Sequence, residues 1–464
     1  MSDERTPDGA PASGSGPSEL RGLLKLALPL IAGQSGQQLM SFVDTAMVGR
    51  LDSAAIGGVG IGGGIYFAMT VIGMGTVLGM DPLVAQAVGA GEHDRARRIL
   101  REGLRIAAIM SLPVMALIAL CTLLLEPFGI EPGTAHETRR FLWSRLPNVT
   151  PFLLFCAARS YLQASGGARA VVVSMVVANV ANAIGNVLLI YGDPGLRAMG
   201  LPAIGLPALG VVGSGLSSSI AAALSFFVCL RALRETTREE LAPSIEEDRE
   251  ARRKILRIGF PIALQILAEV GAFTITSILS GRMGRGSAAG YQVAMTLASF
   301  TFTVTLGLGS ATSVRVGQAI GRGDTAAARR AGFLALKVAL AFMSLTACMF
   351  LTAPSVLARV LTDKLDVIAA AAPLVQIAGI FQLSDGVQVV AAGALRGAGD
   401  TRVTSRMNVI GHYLLGLPIA IVLGFVLGVG SPGLWWGLSA GLTFVAITLA
   451  LRFHRISSKA IVRA

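Results

Sequence analysis

The chain has 464 residues, of which 53% are hydrophobic and only 14% charged, against roughly a quarter charged in soluble domains. This composition excludes an ordinary soluble enzyme and points to a polytopic membrane protein. The net charge of +12 does not mark a nucleic-acid binder, because Lys and Arg fall in short clusters between apolar runs, as in loops that orient membrane spans.

Residues 1–20 are rich in Pro, Ser, Gly and Asp and lack apolar periodicity; they are expected to be a disordered cytoplasmic tail. The first apolar run starts near Leu23, is span-length and has no small-residue cleavage site, so it reads as a span and not a cleaved leader. A span needs about 20 apolar residues. Segments near 26–48, 54–80, 104–125, 146–166, 170–192 and 209–230 meet this and form an N-lobe over 21–230. A charged cytoplasmic linker follows at 231–256. Segments near 257–280, 288–314, 332–353, 370–394, 404–428 and 434–452 form a C-lobe over 257–455, and 456–464 is a second cytoplasmic tail. Strand-type alternation does not recur, which excludes an outer-membrane barrel. The 56 glycines suit closely packed transmembrane helices. The fold class is therefore all-α, with about twelve transmembrane helices.

Polar residues inside these spans carry the functional signal. A charge at the bilayer centre costs roughly 2.5–3.5 kcal/mol on insertion scales, so embedded carboxylates mark ion or substrate paths. In span 1, "QSGQQLMSFVDTAMVG" places Gln37, Ser41 and Asp44 on one helix face. In span 2, "GGVGIGG" has GxGxxG spacing at Gly58, Gly60 and Gly63. A dinucleotide site needs a preceding strand and a βαβ unit, so these glycines are read as helix packing. Asp81, before Pro82, is read as structural, and Arg159 near the end of span 4 as snorkelling. Span 5, "ANVANAIGNVLLIYG", puts Asn179, Asn182 and Asn186 on one face; their amides can hydrogen-bond Asp44 or offer carbonyl oxygens to a cation.

In the second half, Gln265 and Glu269 lie one turn apart in span 7. Gln292, Thr296, Ser299 and Thr303 line a face of span 8, and Gln382 and Asp385 share a face of span 10. Two acids with neighbouring oxygen ligands suit a hard cation such as sodium; a buried acid pair suits a proton equally. Glu269 and Asp385 are thus the candidate ligands for a metal ion, as sodium. No cofactor is expected. Cys121, Cys156, Cys229 and Cys348 fall in apolar runs and read as small hydrophobes, and the four His residues lack metal-ligand spacing. No P-loop and no paired acid–base motif is found, so ATP hydrolysis and enzymatic activity are not expected.

The chain also repeats itself. "LALPLIAGQ" at 26–34 aligns with "RIGFPIALQ" at 257–265, "MVGRL" at 47–51 with "LSGRM" at 279–283, and "QAVGAGEHDRARR" at 86–98 with "QAIGRGDTAAARR" at 318–330, all at an offset of 232. "LQASGGAR" at 162–169 matches "LRGAGDTR" at 395–402 at an offset of 233. Each copy has an even number of spans, so the copies are parallel, related by an axis along the membrane normal. Two six-helix lobes around a central cleft are expected. Basic residues concentrate in one set of alternate loops, among them Arg95, Arg97, Arg98, Arg252, Arg253, Arg329 and Arg330, and at both ends of the chain. This places both termini in the cytoplasm.

Taken as a set, "LPLIAGQ", "VDTAMVGRL", "LVAQAVGAG" and "YLQASG", with the duplicates "FPIALQ", "VGQAIGRG" and "LRGAGDT", resemble the multidrug and toxic compound extrusion (MATE) family, especially its NorM-like bacterial members. The resemblance covers roughly residues 22 to 455. It implies a two-lobed antiporter that expels organic cations in exchange for sodium ions or protons. On the family's pattern, Asp44 is the acid of the N-terminal lobe, Asn182 and Asn186 the polar pair of span 5, and Glu269 with Asp385 the cation-coupling site. Asn186 stands where some relatives place a second acid, which argues against an acid pair in the N-lobe. The supporting cleft residues are Gln37, Asn179, Asn182, Asn186, Gln265, Gln292, Thr296 and Gln382. The expected partners are cationic small molecules and membrane lipid, with the protein a monomer. The alternative is a lipid-linked glycan flippase of the same superfamily, which needs a cationic cavity, whereas the embedded charges here are mostly acids.

Overall fold

The structure is a computed structural model that describes residues 16–51, 53–200, 202–237 and 248–464. Most of the first tail and the middle of the charged linker lie outside the described residues. The first half comprises α1 (Gly16–Val48), α2 (Ser53–Val77), α3 (Met80–Gly89), α4 (His93–Leu124), α5 (Pro132–Arg145), α6 (Val149–Ala164), α7 (Ala168–Asn186), α8 (Gly192–Ala198) and α9 (Val211–Thr237). The second comprises α10 (Arg249–Arg282), α11 (Arg285–Gly321), α12 (Thr325–Thr352), α13 (Pro354–Arg359), α14 (Leu365–Gly397), α15 (Thr401–Val409), α16 (Leu417–Ile421) and α17 (Ser431–Ser457). No strand occurs among the described residues.

Ten of these helical runs are long and apolar enough to cross a membrane. Two more, α1 and the broken run α5–α6, pack in the same bundle and complete twelve. Polar groups lower the apolar character of α1, and a 3-10 turn at Leu146–Asn148 interrupts α5–α6. Arg139, Arg140 and Arg145 fall between the apolar segments near 104–125 and 146–166, where the sequence predicts a loop. They lie instead on α5, which buries Phe141 and Leu142 while Arg139 pairs with Glu126 at 3.2 Å and Arg140 with Glu137 at 3.2 Å. Amphipathic pairing makes a helix of a segment whose mean composition is polar.

Glycines set the close packing inside and between lobes. A Cβ on Gly58 would stand 2.8 Å from the Glu137 Cβ, and one on Gly62 2.7 Å from Phe141, whereas Gly60 and Gly63 face open space. The packing pair is therefore Gly58 and Gly62, one turn apart, rather than the three glycines of the apparent nucleotide motif.

Between the halves, α2 packs on α10 and α1 on α11. A Cβ on Gly75 would meet the backbone of Ala263, and one on Gly307 the backbone of Ile31. These are one contact repeated, since 75 + 232 = 307 and 31 + 232 = 263. Gly79 and Gly259 meet in the same way, as do Gly89 with the Gln318 backbone and Gly321 with the Gln86 carbonyl. All of these approaches lie in the halves of the helices nearest the start of α1 and the end of α17. The lobes are thus sealed together at one face, here termed the closed face.

Polar groups lock that face. Gln86 Nε2 donates to the Gly397 carbonyl at 3.0 Å, and Gln318 Nε2 donates to the Ala164 carbonyl at 2.8 Å. Asp81 of α3 pairs with Arg396 of α14 at 3.8 Å, a structural role in keeping with the reading of that acid. The end of the chain crosses the same seam. Arg463 Nη1 pairs with Glu92 at 3.0 Å, its other terminal nitrogen donates to the Gly321 carbonyl, and the Ala464 N–H donates to Gln86 Oε1 at 2.8 Å.

Candidate functional site

Two polar clusters lie inside the bundle, one per lobe. In the first half, Asp44 is 3% exposed. Its Oδ1 accepts from Asn182 Nδ2 at 2.9 Å and Asn186 Nδ2 at 2.7 Å, and its Oδ2 accepts from Ser218 Oγ at 2.7 Å. Asn186 Nδ2 also reaches Asn182 Oδ1 at 3.2 Å, and Ser217 Oγ donates to the Asn182 carbonyl at 2.8 Å. Three helices, α1, α7 and α9, therefore converge on one carboxylate. Hydrogen bonds to a charged acceptor are about twice as strong as neutral ones, and the low dielectric raises their worth and the cost of breaking them. Asn179, on the same face by spacing, turns back to the Met175 carbonyl at 2.8 Å and does not join.

Directly after Asn186 the helix widens into a π turn, Val187–Tyr191. A second π segment, Ile410–Gly416, sits in the corresponding span of the other half. The flanking sequences also correspond: "NAIGN" at 182–186 and "NVIGH" at 408–412. Asn408 and His412 thus stand where Asn182 and Asn186 stand in the N-lobe, at an offset of 226 rather than 232. The sequence reading missed both because the repeat slips by six residues here. π turns recur at functional sites in helical proteins.

The second cluster is built from α10, α14 and α15 with its π extension. Asp385 is 4% exposed and Gln382 fully buried. Glu269 is half-buried, lies within electrostatic reach of Asp385, and has Gln388 beside it. Gln388 Nε2 donates to Asn408 Oδ1 at 3.3 Å, and Thr346 Oγ1 donates to Gln382 Oε1 at 2.8 Å. Phe273, one turn beyond Glu269, packs on Phe381, one turn before Asp385, with centroids 6.0 Å apart, and on His412 at 6.1 Å. The acids therefore lie beneath an aromatic layer. Several polar atoms here have no protein partner: Gln382 Nε2, Gln388 Oε1 and both ring nitrogens of His412. Buried polar atoms without protein partners are few in native proteins. Among the described residues no third His, Cys, Asp or Glu completes a metal cage with the two acids.

The remaining expected residues are dispersed. Gln265 is half-buried and Gln292 exposed. Thr296, Ser299 and Thr303 donate to carbonyls of their own helix at 2.8, 2.8 and 3.0 Å. Gln37 lines a small cavity formed almost wholly by the first half, with Gln34, Arg159 and Gln163, which Ser310 of the second half borders. Arg159, expected to snorkel, is half-buried and borders this cavity. One further motif is accounted for by packing. "GLSAG" at 437–441 has the spacing of a hydrolase nucleophile turn. It lies inside α17, where Ser439 donates to the Trp435 carbonyl at 2.8 Å and Gly437 and Gly441 seat against Ala420 and Gly411.

Comparison with known proteins agrees with this architecture. The family model MatE matches residues 29–188 and 261–422, two segments whose starts, Pro29 and Pro261, are the proline pair of the internal repeat. A probable multidrug resistance protein NorM of Agrobacterium fabrum (strain C58) is 33% identical over 459 residues, covering 97% of this chain and 96% of that protein. A multidrug resistance protein NorM of Photobacterium profundum is 32% identical over 449 residues, covering 94% and 96%. The crystal structure of the eukaryotic MATE transporter AtDTX14 superposes with a TM-score of 0.84 at 20% identity, covering 96% of this chain and 98% of that one; at that identity the likeness speaks for the fold. The twin segments matched and the length shared with these relatives establish that the chain belongs to the MatE family.

Proposed function

We propose that this protein is a secondary active exporter of organic cations, driven by inward movement of sodium ions or protons. The observation that carries the reading is the Glu269–Asp385 pair, held beneath an aromatic layer with unpartnered amide atoms of Gln382 and Gln388 around it. Relatives at about a third identity along nearly the whole chain are named as multidrug resistance proteins, which supports drug-like substrates.

In this reading the closed face is cytoplasmic, both termini lie there, the protein resides in the inner membrane and it works as a monomer. The Gln86 and Gln318 bonds hold the lobes together on that side, so the described state is the outward-facing one. An entering cation binds Glu269 and Asp385, neutralises them and lowers the attraction of the cleft for a cationic substrate, which leaves outward. Asp44, with Asn182 and Asn186, forms the second acidic centre and senses the same exchange in the N-lobe. The coupling between two such sites is a free energy of about 1–3 kcal/mol. Each net positive charge entering down 100 mV contributes about 2.3 kcal/mol. No cofactor, metal centre beyond the coupling ion, or chemical step enters the cycle. Proteoliposomes carrying Glu269→Gln or Asp385→Asn test it: both variants should assemble normally and lose ion-driven efflux.

A further inference from the structure

We propose that each lobe carries a site for the phosphate of an anionic phospholipid, on its outer surface at the closed face, along the seam between its first and fifth spans. The inference needs only the membrane-spanning fold and is independent of the coupling ion and the exported substrate. In the first half the site is Arg21 and Lys25 of α1 with Arg169 of α7. In the second it is Arg253 and Arg257 of α10 with Arg402 of α15. The two trios are repeat partners, since 21 + 232 = 253, 25 + 232 = 257 and 169 + 233 = 402. All six residues are exposed.

Packing brings the members of each trio together. Ala168, next to Arg169, is buried in one cluster with Leu23 and Ala27 of α1. Thr401, next to Arg402, donates its hydroxyl to the carbonyl of Ile258, the residue after Arg257, at 3.0 Å. On the first helix of each half the basic residues share a face with apolar ones. Arg21, Leu24, Lys25 and Leu28 stand at i, i+3, i+4 and i+7, and so do Arg253, Leu256, Arg257 and Phe260. The four apolar residues are exposed, Leu28 by 60% and Phe260 by 65%, and they too correspond at an offset of 232. Cations at the helix end with bare apolar side chains further along match the boundary of a lipid leaflet, where a headgroup phosphate meets its acyl chains.

The protein supplies these cations with no counter-charge. Among the described residues none of the six side chains makes a hydrogen bond or an ion pair. The neighbouring acids are committed elsewhere: Glu19 to Arg330 at 3.0 Å, Glu250 to Lys254 at 3.3 Å and Asp400 to Arg452 at 2.7 Å. Scattered basic residues at a membrane surface need no partner. Three cations and two exposed apolar residues held at the same places in both copies of the repeat form a pattern that scatter does not. A guanidinium offers paired donors to phosphate oxygens, and each basic residue beside an anionic headgroup is worth about fivefold in affinity.

The test is native mass spectrometry of the full-length protein in micelles doped with dioleoylphosphatidylglycerol. The wild type should retain two of these lipids, and no dioleoylphosphatidylcholine under the same conditions. Arg257→Gln combined with Arg402→Gln should weaken one of the two bound lipids at least tenfold, and Lys25→Gln with Arg169→Gln should weaken the other. Arg455 and Lys459 are exposed at the same face, away from both trios. Changing both to Gln removes the same charge and should alter retention by less than twofold. An equal loss in that control would assign retention to diffuse attraction and overturn the sites. So would unchanged retention in the trio variants, or retention of phosphatidylcholine to the same extent as phosphatidylglycerol. Excess inorganic phosphate or glycerol 3-phosphate should leave the bound lipid in place; displacement would assign the sites to a free phosphate and overturn the lipid. Should a double variant fail to fold, Arg402→Gln and Arg169→Gln decide singly. Each should weaken one lipid about fivefold, and no weakening in either overturns the proposal.

Discussion

Gln86 and Gln318 occupy the same place in the two halves of the chain, and each donates its amide to a backbone carbonyl of the opposite lobe, Gly397 and Ala164 respectively. The acceptors are also repeat partners, since 164 + 233 = 397. The pair is thus a single interaction used twice across the pseudo-two-fold axis. A buried hydrogen bond contributes about 0.5–1.5 kcal/mol net, and a carbonyl left unsatisfied costs about 1–3 kcal/mol. Gln86→Leu or Gln318→Leu should therefore shift the balance away from the closed face by roughly tenfold, and the double variant by more. Pulsed electron-resonance distances between spin labels on the turns at 90–92 and 322–324 would read this as a growing long-distance population. An unchanged distribution would remove the glutamines from the closure.

Asp44 receives hydrogen bonds from Asn182, Asn186 and Ser218, so its removal leaves three buried donors with poorer partners. Asp44→Ala should cost about 2–4 kcal/mol, since it leaves neutral buried donors unsatisfied, and Asp44→Asn, which retains an acceptor oxygen, about 1–2 kcal/mol. Thermal unfolding in detergent should rank the wild type above Asp44→Asn, and that above Asp44→Ala. Equal melting temperatures for all three would mean that the network contributes nothing to the fold.

The contact of the chain end with the closed face should depend on pH. Hydrogen bonding to Arg95 holds the Glu92 carboxyl below its ordinary value of 4.5, with Arg95 and Arg463 adding attraction through their charge. A depressed carboxyl stabilises the folded contact above its unfolded value and loses that contribution as pH falls through the lower, folded value. A spin label at position 460 should therefore be immobilised at neutral pH and released in acid, below 4.5. Glu92→Gln should abolish the step, with the label equally mobile at both pH values. A label whose mobility ignores pH in the wild type would contradict the assignment.

Much of this architecture is legible in the sequence because lipid leaves few options: apolar runs of span length must be helices, and fixed-offset matches reveal the duplication. The convergence of Asp44 with Asn182 and Asn186 followed from helix spacing and resemblance. Ser217 and Ser218 did not, since a run such as "GLSSS" reads equally as small-residue packing. Asn408 and His412 were hidden by the six-residue slip between the repeats. The charged helix α5 looked like a loop because its ion pairs and its buried Phe141 are settled by neighbours that composition does not display.

The central claim is that Glu269 and Asp385 exchange an entering cation for a departing substrate. It is tested most directly by ethidium efflux from proteoliposomes under imposed sodium or proton gradients, comparing the wild type with Glu269→Gln and Asp385→Asn at matched reconstitution. The account predicts efflux driven by at least one gradient in the wild type and none in either variant, with melting temperatures close to the wild type. Gradient-driven efflux at wild-type rates in both variants would contradict it.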